Sequence, residues 1–443
     1  MLRENMEITG DGRLVIGGCD AVVLAETYGT PLYVIDEKVV RGRCRAYREG
    51  FERTYPAYRV VYAGKALLTT AICRIIEEEG LGLDVVSGGE LYTALAAGFP
   101  VDRIYFHGNN KSIDELDMAL RAGVHRIVVD NLYELDLLSQ MAAGRGVTAS
   151  VLIRATPGVE AHTHSYIQTG QLDSKFGFGI ASGAALAAAR AALEKPNIKL
   201  QGFHCHIGSQ IFDIASYEAA GRAMFDFLET VRSELGYVAA ELNMGGGLGI
   251  RYSGSDVSMN PAEFAAWLGE FIKKEAARRG YPEPLLLIEP GRSIVGEAGT
   301  TLYTIGASKD IPGIRTYVCV DGGMADNPRV ALYQAKYEAI IANRANETPS
   351  LTVSVAGKCC ESGDMLIWDL KVPRYEPGDV LAVFSTGAYN YSMASNYNRL
   401  PRPAMVLVCD GKSDLIVKRE AYEDLVRLDR IPARLERARQ PAS

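Results

Sequence analysis

The chain has 443 residues, 48% hydrophobic and 23% charged, with a formal net charge of −7. That balance excludes a disordered chain and argues against a nucleic-acid binder or a surface drawn to anionic lipid. No apolar run is long enough to span a bilayer, and the N-terminal MLRENMEITGDGRL lacks the apolar core of a signal peptide, so a cytoplasmic protein is expected.

The length calls for more than one domain. In the first thirty residues, LVIGG and DAVVLAETYGTPLYVID are expected to lend a strand to a β domain completed later in the chain. From residue 59, short β-rich runs alternate with longer segments of helical periodicity. The strand candidates are RVVYAG (59–64), GLDVVS (82–87), RIYFHG (103–108), RIVVD (126–130), ASVLIRA (149–155), LQGFHCHIG (200–208), ELNMGG (241–246) and LLLIEPG (285–291). Segments such as 113–122, 182–193, 214–235 and 262–279 are long enough for crossover helices. Eight such units predict an α/β fold, a (β/α)₈ TIM barrel, placed at 32–295. After about 295 the rhythm changes to TLYTIGASK, RTYVCVDGG, LTVSVAGK, DVLAVFST and AMVLVCDG, separated by Gly, Pro and Asp turns. This predicts a mainly antiparallel, sandwich- or barrel-like β domain built from 1–31 and 296–443. The tail RLERARQPAS is polar and expected to fray.

A barrel of this kind works at the C-terminal ends of its strands. There the sequence places Lys65, Ser87, His107 and Asn109, Arg154, HCHIGSQ with Ser209, GGGLG (245–249) and EPGR (289–292) in succession. A polar or glycine signature on nearly every strand is more than a structural rim needs, and it weighs against Lys65 being merely a strand-end lysine that snorkels to water. The glycines of GGGLG let backbone N–H groups approach an anion, although tight turns use the same residues. Loops after the seventh and eighth strands are common phosphate sites in this architecture, which favours a phosphate cup. Glu289 reads either as a rim salt-bridge partner of Arg292 or as a carboxylate facing the ring nitrogen of a pyridine cofactor. His204 and His206 are expected to face opposite sides of their strand, one toward the barrel interior and one toward the helices. HTH at 162–164 reads as a loop rather than a metal site, and the eight scattered cysteines contain no CxxC, so no metal is expected.

A lysine, a phosphate cup and a carboxylate on one rim suggest pyridoxal phosphate. The stretches YAGKA, DVVSGGEL, FHGNNKS, PGVEAHTHSYIQTGQLDSKFG, FHCHIGSQI, NMGGGLGI, EPGRSIV, VDGGMADNPRVALY, CCESGDML and GAYNYSMASNYN together resemble diaminopimelate decarboxylases, of the barrel-type (fold type III) pyridoxal-phosphate enzymes. The resemblance covers essentially the whole chain. Two departures are Gly64, where the family more often has a bulkier residue, and Leu67, where Asn is usual. The resemblance implies decarboxylation of meso-2,6-diaminopimelate to L-lysine and CO₂, the last step of lysine biosynthesis by that route. It implies Lys65 as the cofactor-bearing lysine and Cys360 as the proton donor. Asp84, Arg154, His206, Ser209, Gly246, Gly247, Glu289, Pro290, Gly291, Arg292 and Tyr389 would hold the cofactor. Arg292, Arg329, Tyr333, Glu361 and Tyr389 would hold the amino-acid substrate. Cys360 and Glu361 would enter from the partner of a homodimer with shared active sites. The competing readings are a decarboxylase of ornithine, arginine or a carboxylated polyamine, whose usual Asp after the cysteine is here Glu361, and a non-catalytic cofactor-binding homologue, against which Lys65 and Cys360 both speak.

Overall fold

The structure, a computed structural model, describes residues 2–159, 174–254 and 256–436. Eight parallel strands form a closed ring: Tyr58–Ala63, Gly82–Val85, Ile104–Phe106, Arg126–Val129, Ala149–Thr156, Ile198–His204, Glu241–Asn243 and Leu285–Ile288. The eighth pairs back with the first, Leu286 opposite Tyr58. The strands read as unbroken apolar runs because both faces are covered. Val61, Tyr105, Val128, Leu152 and Leu287 pack into a small cluster of their own, and the larger core lies under the helices. Several strands are shorter than expected: the candidates at 200–208 and 241–246 end at His204 and Asn243. Gly245, with φ +69°, takes the chain out of extended geometry just beyond the seventh strand.

Seven crossover helices follow the first seven strands, among them Ile113–Ala122, Ala184–Leu193, Ile214–Leu235 and Pro261–Arg279, close to their expected positions. Only the four-residue helix Arg292–Val295 directly follows the eighth strand. Glu37–Thr54 packs against Pro261–Arg279 and takes the outer place there. It begins where Asp36 caps it by accepting from the Val39 N–H.

The second sheet runs Met365–Val372, Leu351–Ala356, Arg315–Val320, Gly299–Ile311, Leu32–Asp36, Ala404–Cys409, Lys412–Val417. Val380–Phe384 also pairs with Gly299–Ile311 and carries Ala339–Ile341 on its other edge. Most pairings are antiparallel; Arg315–Val320 with Leu351–Ala356, and Leu32–Asp36 with Ala404–Cys409, are parallel. The N-terminus contributes more than one strand. Met6–Ile8, Leu14–Ile16 and Cys19–Asp20 form a three-stranded sheet. Leu32–Asp36 hydrogen-bonds in the second sheet, as the N-terminal segment was expected to, and not in the barrel, whose span the sequence reading began at residue 32. Among the described residues no helix is long and apolar enough to cross a membrane.

Candidate active site

A cavity of about 770 Å³ opens at the C-terminal ends of the barrel strands, where residues of the second domain reach over it. Lys65 projects into it from a short 3₁₀ turn, Gly64–Ala66, directly after the first strand. The turn is tight: a Cβ on Gly64 would lie 2.8 Å from the Asp84 carbonyl oxygen, so a bulkier residue there requires the second strand to shift. Leu67, the other departure, is buried and its carbonyl accepts from the Tyr62 hydroxyl at 2.6 Å.

Asp84, His206, Ser209, Gly246, Gly247, Glu289, Gly291, Arg292, Arg329, Tyr333 and Tyr389 all line this one cavity with Lys65. Arg154 is buried beside it, its guanidinium 4.4 Å from the ring centre of Phe176, a lining residue. Pro290 acts through its carbonyl, which accepts from the Ala63 N–H at 3.1 Å and ties the eighth strand to the lysine-bearing turn. Cys360 and Glu361 are exposed on the second domain and do not line the cavity. The Cys360 N–H donates to Asn398 Oδ1 at 2.6 Å. The HTH stretch at 162–164 lies outside the described residues.

The floor of the site is Glu289. Asn243 Nδ2 donates to its Oε1 at 2.6 Å, and His204 Nε2 lies 3.0 Å from its Oε2. His107 Nε2 is 2.8 Å from Oε1 and 3.8 Å from Asp84 Oδ1. These partners replace the rim salt bridge with Arg292 that the sequence alone allowed. Burial opposes charge on Glu289, but His107 and His204 outweigh it and hold the carboxyl well below the usual carboxylate range. Burial also lowers His107, yet the facing Asp84 and Glu289 leave it raised. His204 is pushed by burial down to about 4, so it stays neutral near pH 7 and donates from Nε2. Burial lifts Asp84 to about 6 against the pull of His107. Ligand atoms of His107, His204 and Glu289 fall within 4.8 Å of one another. That spacing arises from the imidazoles facing the carboxylate.

His204 and His206 do not face opposite sides. A spacing of two returns a side chain to the same face, and both point inward: His204 meets Glu289, while His206 Nδ1 accepts from the Gly246 N–H at 3.3 Å. Cys205 between them turns into the core. His206 is driven well below its ordinary range by burial and by Lys65 and Arg154, so its ring is neutral.

The glycine cup is built by close backbone approach. A Cβ on Gly246 would sit 2.0 Å from the Glu289 carbonyl oxygen, and one on Gly247 2.5 Å from that of Gly208. Arg292 donates to Ser209 Oγ at 2.8 Å and to the Tyr252 hydroxyl at 2.6 Å beside this cup. Arg329 donates to the Tyr337 hydroxyl at 2.7 Å. Tyr389 has φ +63°, a conformation uncommon for a side-chain-bearing residue. Its N–H donates to the Ala66 carbonyl at 2.8 Å, and the Arg292 guanidinium stands 4.7 Å from its ring centre. Ser209, Arg292 and the glycine cup offer donors and a cation for a phosphate, Lys65 an amine, Glu289 an anion for a ring nitrogen, and Asp84 Oδ1 is buried without a hydrogen-bond partner. A pyridoxal phosphate fits this donor set. Asn243, His107 and Tyr252 are site residues without a role in the sequence reading; only His107, at a strand end, carried a positional signal.

Residues 38–296 match the family described as pyridoxal-dependent decarboxylase, pyridoxal binding domain. The chain is 56% identical over 418 residues to a diaminopimelate decarboxylase of Bacillus subtilis, covering 94% of this chain and 95% of that one. It is 53% identical to the diaminopimelate decarboxylase of Halalkalibacterium halodurans, over 95% and 96% of the two chains. A solved diaminopimelate decarboxylase from M. jannaschii, in co-complex with L-lysine, superposes with a TM-score of 0.91 at 38% identity, covering 98% of this chain and 100% of that one.

Proposed function

This chain belongs to the diaminopimelate decarboxylases, within the pyridoxal-dependent decarboxylases, and on that premise we propose how its residues divide the work. The enzyme is a pyridoxal-phosphate-dependent lyase that converts meso-2,6-diaminopimelate to L-lysine and CO₂, completing lysine biosynthesis by the diaminopimelate route. The observation that carries the assignment of residues is the gathering of Lys65, Glu289, the glycine cup and Arg292 around one cavity.

Lys65 would hold the cofactor through its ε-amine. Gly246, Gly247, Gly291, Ser209 and Arg292 would hold the phosphate by backbone N–H, hydroxyl and guanidinium donors. His206, neutral, would lie against the ring, and Glu289 would face the ring nitrogen. Asp84, Arg154 and Pro290 shape the surrounding wall, and Tyr389 would close over the phosphate. When bound, pyridoxal phosphate supplies an electron sink for the pair released as the carbon–carboxylate bond breaks. Arg292, Arg329, Tyr333 and Tyr389 orient the substrate, and the arginines suit its distal carboxylate. Cys360 Sγ returns a proton to the α-carbon and Glu361 meets the distal ammonium. Both are supplied by the partner of a homodimer, a reading supported by their exposure away from this chain's own cavity. We place the enzyme in the cytoplasm, acting on a small amino acid and not on nucleic acid.

The test is to incubate purified protein with meso-diaminopimelate and measure CO₂ and lysine. Lys65→Ala should lose both the activity and the borohydride-reducible cofactor adduct. Lysine and ornithine lack the distal carboxylate, and a site built for a polar group rejects analogues lacking it by roughly 10⁴-fold or more. Comparable turnover of ornithine would overturn the substrate assignment, and an adduct retained in Lys65→Ala would overturn that of the lysine.

A further inference from the structure

We propose that His107 and His204 are positioning residues of the decarboxylation, acting through Glu289: with Asn243 they hold its carboxylate as an anion at one fixed place in the cavity wall. The proposal rests on the reading of Glu289 as the partner of the cofactor's ring nitrogen.

Three strand ends converge on this one side chain: His107 after the third strand, His204 at the end of the sixth and Asn243 at the end of the seventh. Between them they engage both Glu289 oxygens, at 2.6, 2.8 and 3.0 Å. The imidazoles meet edge to face, centroids 4.8 Å apart, so each fixes the tilt of the other. All four residues are buried. Burial of a carboxylate favours its protonated form, and a cation beside it adds to what hydrogen bonds alone can do to keep it an anion.

The two imidazoles meet that need differently. His107 faces Asp84 from the second strand and Glu289 from the eighth, and Arg154 of the fifth strand opposes its charge. Two carboxylates outweigh one guanidinium, which itself sits near Asp130, 3.9 Å away. His107 is therefore the cation of the cluster. His204 already has that cation as its neighbour, stays neutral and contributes only an N–H. The assignment separates charge from hydrogen bonding. Position 107 needs a positive side chain, whereas position 204 needs a donor at the Nε2 location, which glutamine supplies.

The experiment uses the cofactor-loaded enzyme without substrate. The cofactor's visible absorbance is titrated across neutral pH, and cofactor retention is followed on dilution. The wild type and His204→Gln should show a band that does not titrate. His107→Gln should show a new inflection, as Glu289 takes up a proton, and release cofactor roughly tenfold more readily, as the loss of one charge-assisted interaction implies. His204→Leu should weaken retention where His204→Gln does not. A His107→Gln enzyme with a flat titration and wild-type retention would overturn the proposal, as would His204→Gln behaving like His204→Leu. Glu289→Gln is the control: if it too leaves band and retention unchanged, the reading of Glu289 has failed. If only the histidine variants are silent, the positioning role alone has failed. Should His107→Gln not fold, the ¹⁵N-histidine spectrum of the intact enzyme decides. One imidazole that stays cationic to higher pH than an ordinary histidine, and loses that upward shift in Glu289→Gln, is expected, and its absence in the wild type overturns the proposal.

Discussion

Gly246→Ala adds one methyl group to the floor of the site. Built on the existing backbone, that Cβ lies 2.0 Å from the carbonyl oxygen of Glu289 and 2.9 Å from its carbon. Ordinary contact begins at 3.4 Å, so the ends of the seventh and eighth strands have to separate by roughly 1.4 Å. Neither end is free to do so. The Glu289 N–H donates to the Gly245 carbonyl at 2.8 Å, and the next residue's carbonyl accepts from Ala63, two residues before Lys65. The displacement therefore reaches the Glu289 carboxylate, the glycine cup and the lysine together. Overpacking of this kind costs about 1–3 kcal/mol of stability, and misplacing a reacting geometry by about 1 Å costs on the order of 10²-fold in rate. Gly246→Ala should thus melt a few degrees low, retain cofactor poorly and lose on the order of 10²-fold in kcat/KM for meso-diaminopimelate. Cofactor retention by gel filtration and lysine formation by a coupled assay measure these losses. Retention and kcat/KM both within about threefold of wild type, a difference under 1 kcal/mol, would show that the strand ends relax without cost and refute the reasoning.

Lys65→Ala and Cys360→Ala chains, each nearly inactive, should regain partial activity on mixing and subunit exchange, because one site of the heterodimer would have both groups; no recovery after confirmed exchange would mean that each chain builds its own site. Lys111→Met should cost about 3–5 kcal/mol in urea unfolding. It removes the buried cation that donates to Glu134 at 2.8 Å and to the Val128 and Gly108 carbonyls at 2.7 and 2.9 Å; adding Glu134→Leu should restore most of the loss, and a single-variant cost below about 1 kcal/mol would contradict the pairing. Asp84→Asn should stabilise the cofactor-free chain at neutral and alkaline pH. Burial raises the Asp84 pKa to about 6 from 3.8, so the folded state binds the extra proton and wild-type stability falls as pH rises through that interval. The gain of the variant should fade toward pH 4, and a gain independent of pH in the urea midpoint would rule out this origin.

The barrel was legible because nearly every strand announced itself twice, by an apolar run and by the polar or glycine residues that end it. GGGLG and EPGR stood at the rim for the same reason. Local pattern could not say which side chains from different strands would meet. Asn243 reads as an ordinary residue inside ELNMGG, and nothing local tells that it, His107 and His204 converge on one carboxylate. The histidine pair was misassigned because the two-residue period of a strand keeps both on one face. LYVID suits either sheet equally, since it is apolar on both faces, and only its pairing with Gly299–Leu302 and with Ala404–Val408 decides where it belongs.

That strand has a consequence for how the molecule is made. Leu32–Asp36 is synthesised early and lies between Gly299–Ile311 and Ala404–Cys409, which are synthesised late. Every residue of the barrel emerges from the ribosome before either neighbour does. Domains fold as units during synthesis, and closing so long a loop carries an entropic cost that contacts at its ends must offset. The barrel therefore assembles first while Leu32–Asp36 waits with both edges unpaired, an exposed β edge of the kind that invites aggregation. Gly299–Ile311 covers one edge when it emerges, but the other stays open until Ala404–Cys409 is released, so a nascent chain arrested short of Ala404 should carry a formed barrel, a sheet with one open edge and a marked dependence on chaperones.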